Sequence, residues 1–204
     1  AGPTVTSIEL HGQRLVLASA SPRRAELLRS VGLEFDVVPA DIDESVRPRE
    51  APATYVARLS AEKARVVAEQ VGPDALVVAA DTTVDVDGEI LEKPLDEADA
   101  RRMLILLSGR THLVHTGVTV LGNRYGPAEP GDTTVVVETA VDFVELTPAM
   151  LRWYVETAEP FGKAGAYAIQ GAGGALVRRV DGSVTNVIGL PLAETLQLLG
   201  PPAP

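Results

Sequence analysis

The stretch ALVVAA, from Ala75 to Ala80, places six apolar residues in a row with no polar position on either face. Successive side chains of a strand point to opposite faces, so such a run is stable only where both faces are covered. That makes it a central strand of a sheet packed between helices. The flanking sequence supplies both kinds of element. LVLAS (Leu15 to Ser19) is a second short apolar run, and Ser21-Pro22 follows as N-cap and first position of a helix to about Val31, which Gly32 can end. EFDVV (Glu34 to Val38) reads as the next strand, and the polar loop PADIDESVRPRE leads to a helix from about Ala53 to Gln70, closed by Gly72-Pro73. Beyond the central run, Asp87-Gly88 closes a hairpin between TVDV and EIL, and Asp96 caps a helix through about Leu107. A strand HLVHTGVTVL, the turn-rich GNRYGPAEPGD and a long strand TTVVVETAVDFVEL come next. A helix from Pro148 to about Thr157, a glycine-rich segment, a strand ALVRRV and a last helix after GLPL complete the chain. Strands alternating with helices, plus hairpins, predict an α/β fold with a mixed sheet. No repeat or linker interrupts it, so one domain is expected over residues 1–204, with a frayed tail GPPAP.

Composition excludes several chemistries. The 204 residues contain no cysteine, which removes disulfides, thiolate zinc sites and a cysteine nucleophile. Asp and Glu number 28 against 18 Lys and Arg, a formal net charge of −10, which opposes binding to nucleic acid and to anionic lipid. Any anionic ligand must therefore meet a local concentration of cations. AGPTVTSIEL lacks a basic segment followed by an apolar run, and no apolar stretch is long enough to span a bilayer; a cytoplasmic protein is expected.

Four groups of residues could carry chemistry. In SASPRRAELL a strand ends in serines and turns into a helix, which aims backbone N–H groups and the positive end of the helix dipole at the turn, with Arg23 and Arg24 beside it. Such a turn suits a phosphate, or is simply a capped surface helix with solvated arginines. Lys63 falls in the apolar stripe Val56, Leu59, Lys63, Val66, Val67 of the long helix. It either snorkels past the edge of the core or points into a cleft at the open end of the stripe. Asp81 is expected to close the central strand, where open α/β sheets gather ligands, or to serve as a turn residue. Lys93 returns after the hairpin in EKP, and Asp41, Asp43 and Glu44 offer loop carboxylates whose oxygens suit Mg²⁺ or Mn²⁺. Other motifs fail. GAGG (Gly171 to Gly174) lacks dinucleotide-fingerprint spacing and permits a tight bend instead; FGKA is not a phosphate-binding Walker loop; His112 and His115, three apart on a strand, face opposite sides.

The blocks LVLASASPRRAELL, DIDES, LSAEKA, AADTTV, GEILEKP, LSGRTHLVHTG, KAGAYAIQG and GLPL, in this order over about Arg14 to Leu199, closely resemble the Maf family of nucleoside triphosphate pyrophosphatases. The resemblance implies a mixed central β-sheet with flanking helices and two lobes around a deep cleft, related to inosine triphosphate pyrophosphatases. It also implies Mg²⁺- or Mn²⁺-dependent hydrolysis of a nucleoside triphosphate to monophosphate and pyrophosphate. Asp81 matches the catalytic proton acceptor; Ser19, Arg23, Arg24, Lys63, Lys93 and Lys163 match polar and basic positions around the phosphates; Glu44 matches an acidic position beside them and, with Asp81, is an expected metal ligand. Arg24, Thr82 and Gln170 match positions associated with base choice, with Gln170 expected as a buried amide. SPRR, ADT and IQG look like the dTTP/UTP subgroup, whereas the 7-methyl-GTP subgroup tends to carry SPWRR, DQ and SEG. Members often have Asp before the KAGAY lysine; this chain has Gly162, and the loop from Asn123 to Asp132 looks longer than usual. A homodimer is the family expectation. The alternative implied by the family's association with septum formation is a nucleotide-binding regulator of cell division with little turnover.

Overall fold

Ala75–Ala80 is a central strand, and it does not stop at Ala80. In the computed structural model, which describes residues 10, 12–122 and 131–200, β3 runs for 12 residues from Ala75 to Val86. It lies inside a seven-stranded sheet with β1 (Arg14–Leu17), β2 (Asp36–Val37), β4 (Glu89–Leu91), β5 (Thr111–Gly122), β6 (Gly131–Phe143) and β7 (Val177–Asp181), in the order β2-β1-β3-β5-β6-β7, with β4 also on β3. β1 is parallel to β2 and β3, and the other pairings are antiparallel, so the sheet is mixed as expected. The helices are α1 (Pro22–Ser30), α2 (Pro52–Val71), α3 (Glu97–Leu107), α4 (Pro148–Glu156), α5 (Val184–Ile188) and α6 (Leu192–Leu199).

The length of β3 corrects one expectation: Asp81 sits in mid-strand rather than at a strand end. The cause is the neighbour, because β5 pairs with β3 from Val77↔Leu121 to Asp85↔Leu113 and satisfies its backbone well past Ala80. The other edge of β3 is paired in two separate pieces. β1 covers it only up to Leu17↔Val78, and β4 takes it up again from Val84↔Leu91. Residues 79–83 between these pieces border an opening in the sheet. The cleft therefore lies beyond the end of β1, not beyond the end of β3.

Smaller departures have local causes. EFDVV contributes only the two residues of β2, both exposed at the sheet edge. Pro22 begins α1, but the Ser21 side chain makes no cap hydrogen bond; instead its N–H donates to Ser19 Oγ at 3.2 Å. α5 has no counterpart among the elements read from the sequence; Ser183 Oγ accepts from the Asn186 N–H at 3.1 Å and starts it. The glycine-rich segment forms two 3₁₀ turns, Ala164–Ala166 and Ala172–Leu176. The Asp87-Gly88 hairpin and the Asp96 cap stand: both turn residues have positive φ (53° and 83°), and Asp96 Oδ1 accepts from the Asp99 N–H at 2.8 Å. Most of the long loop (123–130) and the tail after Gly200 lie outside the described residues.

The alternation of side chains along β3 organises the core. On one face Ala75, Val77 and Ala79 pack with Val16, Ala64 and Val67 beneath α2. On the other, Leu76, Val78 and Ala80 pack with Leu28, Val118, Val120 and Leu198. Further along that same face Val84 and Val86 join a separate cluster with Leu104, Val114, Phe143, Tyr154 and Tyr167. Thr82 falls between the two clusters, and Thr116, directly across on β5, falls between Val114 and Val118. A polar seam thus crosses the sheet where the apolar clusters part.

Candidate active site

A cavity of about 490 Å³ opens at this seam, and its lining includes Ser19, Arg23, Arg24, Glu44, Lys63, Asp81, Thr82, Lys93, Lys163 and Gln170. Ten of the twelve residues singled out from the sequence as site candidates therefore border one space. Asp41 and Asp43 do not; both are exposed, and Asp43 spends a carboxylate oxygen on the Ser45 N–H at 2.9 Å. The charged lining comprises five cations (Arg23, Arg24, Lys63, Lys93, Lys163) and three carboxylates (Glu44, Asp81, Glu92). An acidic protein thus has a locally basic cavity.

Lys63 reaches it because α2 lies tight on the sheet. A Cβ at Gly117 of β5 would come within 2.4 Å of Val56 O, so glycine is what lets the helix backbone approach. The stripe Tyr55, Val56, Leu59, Lys63, Val67 then faces inward, and Lys63 is only 7% exposed. Its Nζ lies 2.7 Å from Asp81 Oδ1 and 2.7 Å from Glu44 Oε1. The ammonium is inside the cleft and does not snorkel to water. Lys93 Nζ is 3.7 Å from Glu44 Oε2, on a side chain 64% exposed.

The two carboxylates on Lys63 are driven apart. Burial raises the pKa of Asp81 despite the opposing charges of Lys63 and Arg24. Burial also pushes Glu44 upward, but less completely, and the Lys63 hydrogen bond with the charges of Lys63 and Lys93 holds it below the usual carboxylate range. Asp81 is the better proton acceptor of the pair, and Glu44 the more firmly ionised. Pairs pushed apart in this way divide acid–base work between them. Among the described residues no cluster of three or more His, Cys, Asp or Glu is arranged to hold a metal. Two cavity-facing carboxylates nevertheless fit Mg²⁺ or Mn²⁺, which take one or two carboxylates and draw their other oxygens from phosphates and water.

Thr82 leaves the opposite face of β3 and meets a different environment. The Arg24 guanidinium donates from Nε to Gly189 O at 2.7 Å, from Nη1 to Ser19 Oγ at 3.1 Å and from Nη2 to Thr82 Oγ1 at 3.0 Å. Thr82 Oγ1 is also 2.9 Å from Thr116 Oγ1, which donates to Asn186 O at 3.1 Å. Arg23 Nε donates to Ile188 O at 3.2 Å. Burial lowers the pKa of both arginines, most directly opposed at Arg24 by Asp81 and at Arg23 by Glu26. Lys163 donates from Nζ to the carbonyls of Glu159 at 2.9 Å and Phe161 at 3.2 Å. Gln170 corrects an expectation: it is exposed at the rim rather than buried, because it sits in the turn that leads through Gly171 into the second 3₁₀ turn and not in a packed element.

Residues absent from the candidate set also shape the cavity. The Tyr55 hydroxyl donates to Glu44 O at 2.9 Å, lies 3.3 Å from Glu92 Oε1, and so ties the Glu44 loop to α2. Its spacing of four and eight residues from Leu59 and Lys63 marks it in the sequence. Asn186, fully buried, donates to Val114 O at 3.1 Å and Thr139 Oγ1 at 2.9 Å, and nothing in the local pattern marks it. His112 and His115 are indeed on opposite faces, one against Tyr167 Oη (2.8 Å) and the other against Asp85 (3.2 Å). Among the described residues no helix is long and apolar enough to cross a membrane.

Residues 14–201 match the model of the family described as Maf-like protein. A dTTP/UTP pyrophosphatase of Anaeromyxobacter sp. (strain Fw109-5) is 56% identical over 186 residues, covering 91% of this chain and 88% of that protein. A dTTP/UTP pyrophosphatase of Myxococcus xanthus (strain DK1622) is 52% identical over 185 residues, 91% of this chain and 90% of that one. Among solved structures, a nucleoside-triphosphatase, dITP/XTP pyrophosphatase, from Mycobacterium abscessus aligns with 92% of this chain and 95% of that chain at 16% identity and a TM-score of 0.44.

Proposed function

The chain belongs to the Maf-like protein family, and we propose that it hydrolyses dTTP and UTP to the nucleoside monophosphate and pyrophosphate. The observation that carries this proposal is the ionic group Asp81–Lys63–Glu44 set in a cavity with five cations. A triphosphate carries several negative charges, and Lys63, Lys93, Lys163 and Arg23 surround the space it would enter. Asp81, with its raised pKa and its place beside the phosphate site, takes a proton from the attacking water. The water oxygen bonds to the α-phosphorus, the bond from that phosphorus to the bridging oxygen of the β-phosphate breaks, and pyrophosphate leaves. Lys63, which donates to Asp81 Oδ1 at 2.7 Å, stabilises charge that develops on the phosphoryl oxygens. Arg24 sets the floor of the site by holding Ser19, Thr82 and the Gly189 carbonyl in one frame.

Glu44 and Asp81 would hold a divalent cation, Mg²⁺ or Mn²⁺, together with phosphate oxygens. When bound, such an ion supplies Lewis-acid neutralisation of the phosphates. Base choice falls to Arg24, Thr82 and Gln170, which line the same cavity.

The test is pyrophosphate release from UTP or dTTP with Mg²⁺ or Mn²⁺, run in ¹⁸O water. Release with label in the monophosphate is expected. Label in pyrophosphate alone would move the attack to the β-phosphorus, and binding without release would favour the regulator of cell division, for which Gly162 in place of an acid is the motive.

A further inference from the structure

The glycine-rich turn next to Gln170 is held by a carboxylate that the proposed reaction does not use. Glu159 follows α4, and its two oxygens accept from consecutive backbone N–H groups, Ala172 N–H to Oε1 at 3.0 Å and Gly173 N–H to Oε2 at 2.7 Å. Two parallel charge-assisted bonds fix both the position and the orientation of a segment. The glycines make room for them. A Cβ at Gly171 would lie 1.6 Å from Glu159 Oε1, and one at Gly173 would lie 2.4 Å from Ala168 O and 2.6 Å from the Tyr154 hydroxyl. Tyr154, fully buried, accepts from the Ala168 N–H at 3.1 Å, and its phenol is pushed up by burial and by the neighbouring Glu159 carboxylate. The main chain of Glu159 takes part as well, since its carbonyl accepts from Lys163 Nζ at 2.9 Å.

One residue thus joins two parts of the cavity. Its side chain anchors the turn that begins immediately after Gln170, and its carbonyl holds Lys163. We propose that Glu159 is a positioning residue for base selection, fixing Gln170 through the Gly171–Gly174 turn while keeping Lys163 beside the phosphate end of the same cavity. This rests on the assignment of Gln170 to base choice made above. Gln170 is exposed at the rim, so its own surroundings do little to fix it. A group that selects by hydrogen bonding must be held in place before the ligand arrives, and for Gln170 that hold comes from the turn behind it.

The wild type should favour UTP and dTTP over 7-methyl-GTP in kcat/KM, and that ratio is the readout. Glu159→Gln keeps the size but turns an amide NH₂ toward one of two backbone donors. Gly171→Ala leaves Glu159 in place but drives its carboxylate off the turn. Each should lower the UTP to 7-methyl-GTP ratio by roughly tenfold, with kcat on UTP changed by no more than about threefold. The double variant should lose no more selectivity than the worse single one, because both remove the same clamp. Folding is checked by thermal melting. Should either variant fail to fold, hydrogen exchange in the wild type decides: the Ala172 and Gly173 amides should be protected, and free exchange at both would overturn the proposal. Folded variants with an unchanged ratio would overturn it too, whatever their melting temperature. A wild type without pyrophosphatase activity would instead defeat the proposed function, and that outcome is visible before any variant is made.

Discussion

Asp81 and Thr82 are neighbours on β3, yet their side chains enter two differently built halves of one cavity. On the Asp81 side, two carboxylates share one buried ammonium, and burial leaves Asp81 reluctant to ionise. On the Thr82 side, each of the three guanidinium nitrogens of Arg24 has a protein acceptor, and Thr82 and Thr116 pass the chain of hydrogen bonds on to α5. The first half keeps charge in tension, as proton transfer requires; the second is satisfied and holds shape. The strand itself supplies the partition, because consecutive residues must face opposite ways. A functional site can therefore be reactive on one face of a sheet and rigid on the other without any additional device.

The largest effect should come from the tense half. Asp81→Asn preserves size and some hydrogen bonding but removes the proposed proton acceptor, so turnover on UTP should fall by roughly 10²- to 10⁴-fold, while the variant still folds. Steady-state kinetics with a thermal melt would check both parts. Near wild-type turnover would make Asp81 a structural partner of Lys63 and erase the contrast between the halves.

The satisfied half should respond in stability. Arg24→Lys keeps the charge but loses the planar fork, so the three acceptors Ser19, Thr82 and Gly189 can no longer be met together. Leaving such groups unpaired costs about 1–3 kcal/mol, which for a domain of this size lowers Tm by about 2–4 °C per kcal/mol. Urea denaturation would measure it as a lower midpoint at unchanged slope. Loss of turnover with no loss of stability would show that Arg24 belongs functionally with Asp81, and that the two halves are not distinct.

How much of this was legible in the sequence follows from the range of the interactions involved. The Asp87-Gly88 hairpin, the Asp96 cap and the inward stripe of α2 are local patterns and read directly. The apolar run marks the central strand but ends it at Asp81, whereas β3 continues to Val86. A polar residue in an apolar run looks like an end until the partner strand is known, and β5 lies some thirty residues further along the chain. The cavity members came from short blocks whose resemblance to a family could be stated, but their partners did not. Arg24 meets Gly189 across 165 positions, and Glu159 meets Ala172 and Gly173 through backbone N–H groups that have no side-chain signature. α5, five residues long, is too short for its period to show.

The smallest effect is expected at Gly162, where the resemblance described above leads one to expect an acid. Gly162 lines the cavity between the Glu159 turn and Lys163, at φ +74°, and a Cβ built there would meet nothing within 4 Å. Space therefore does not oppose a side chain, and the backbone does so only mildly, since Asp tolerates the left-handed region better than most residues, at a cost of roughly 1 kcal/mol. Gly162→Asp should lower stability by about that amount or less and change turnover on UTP by less than about threefold. The added carboxylate would stand beside Lys163, whose ammonium is already engaged by two carbonyls, and on the satisfied side of the contrast rather than next to Asp81. A rise in turnover of tenfold or more, read from pyrophosphate release by both proteins side by side, would show that the missing acid limits the chemistry. The reactive half of the cavity would then have to be extended from Asp81, Lys63 and Glu44 to include the turn at Gly162.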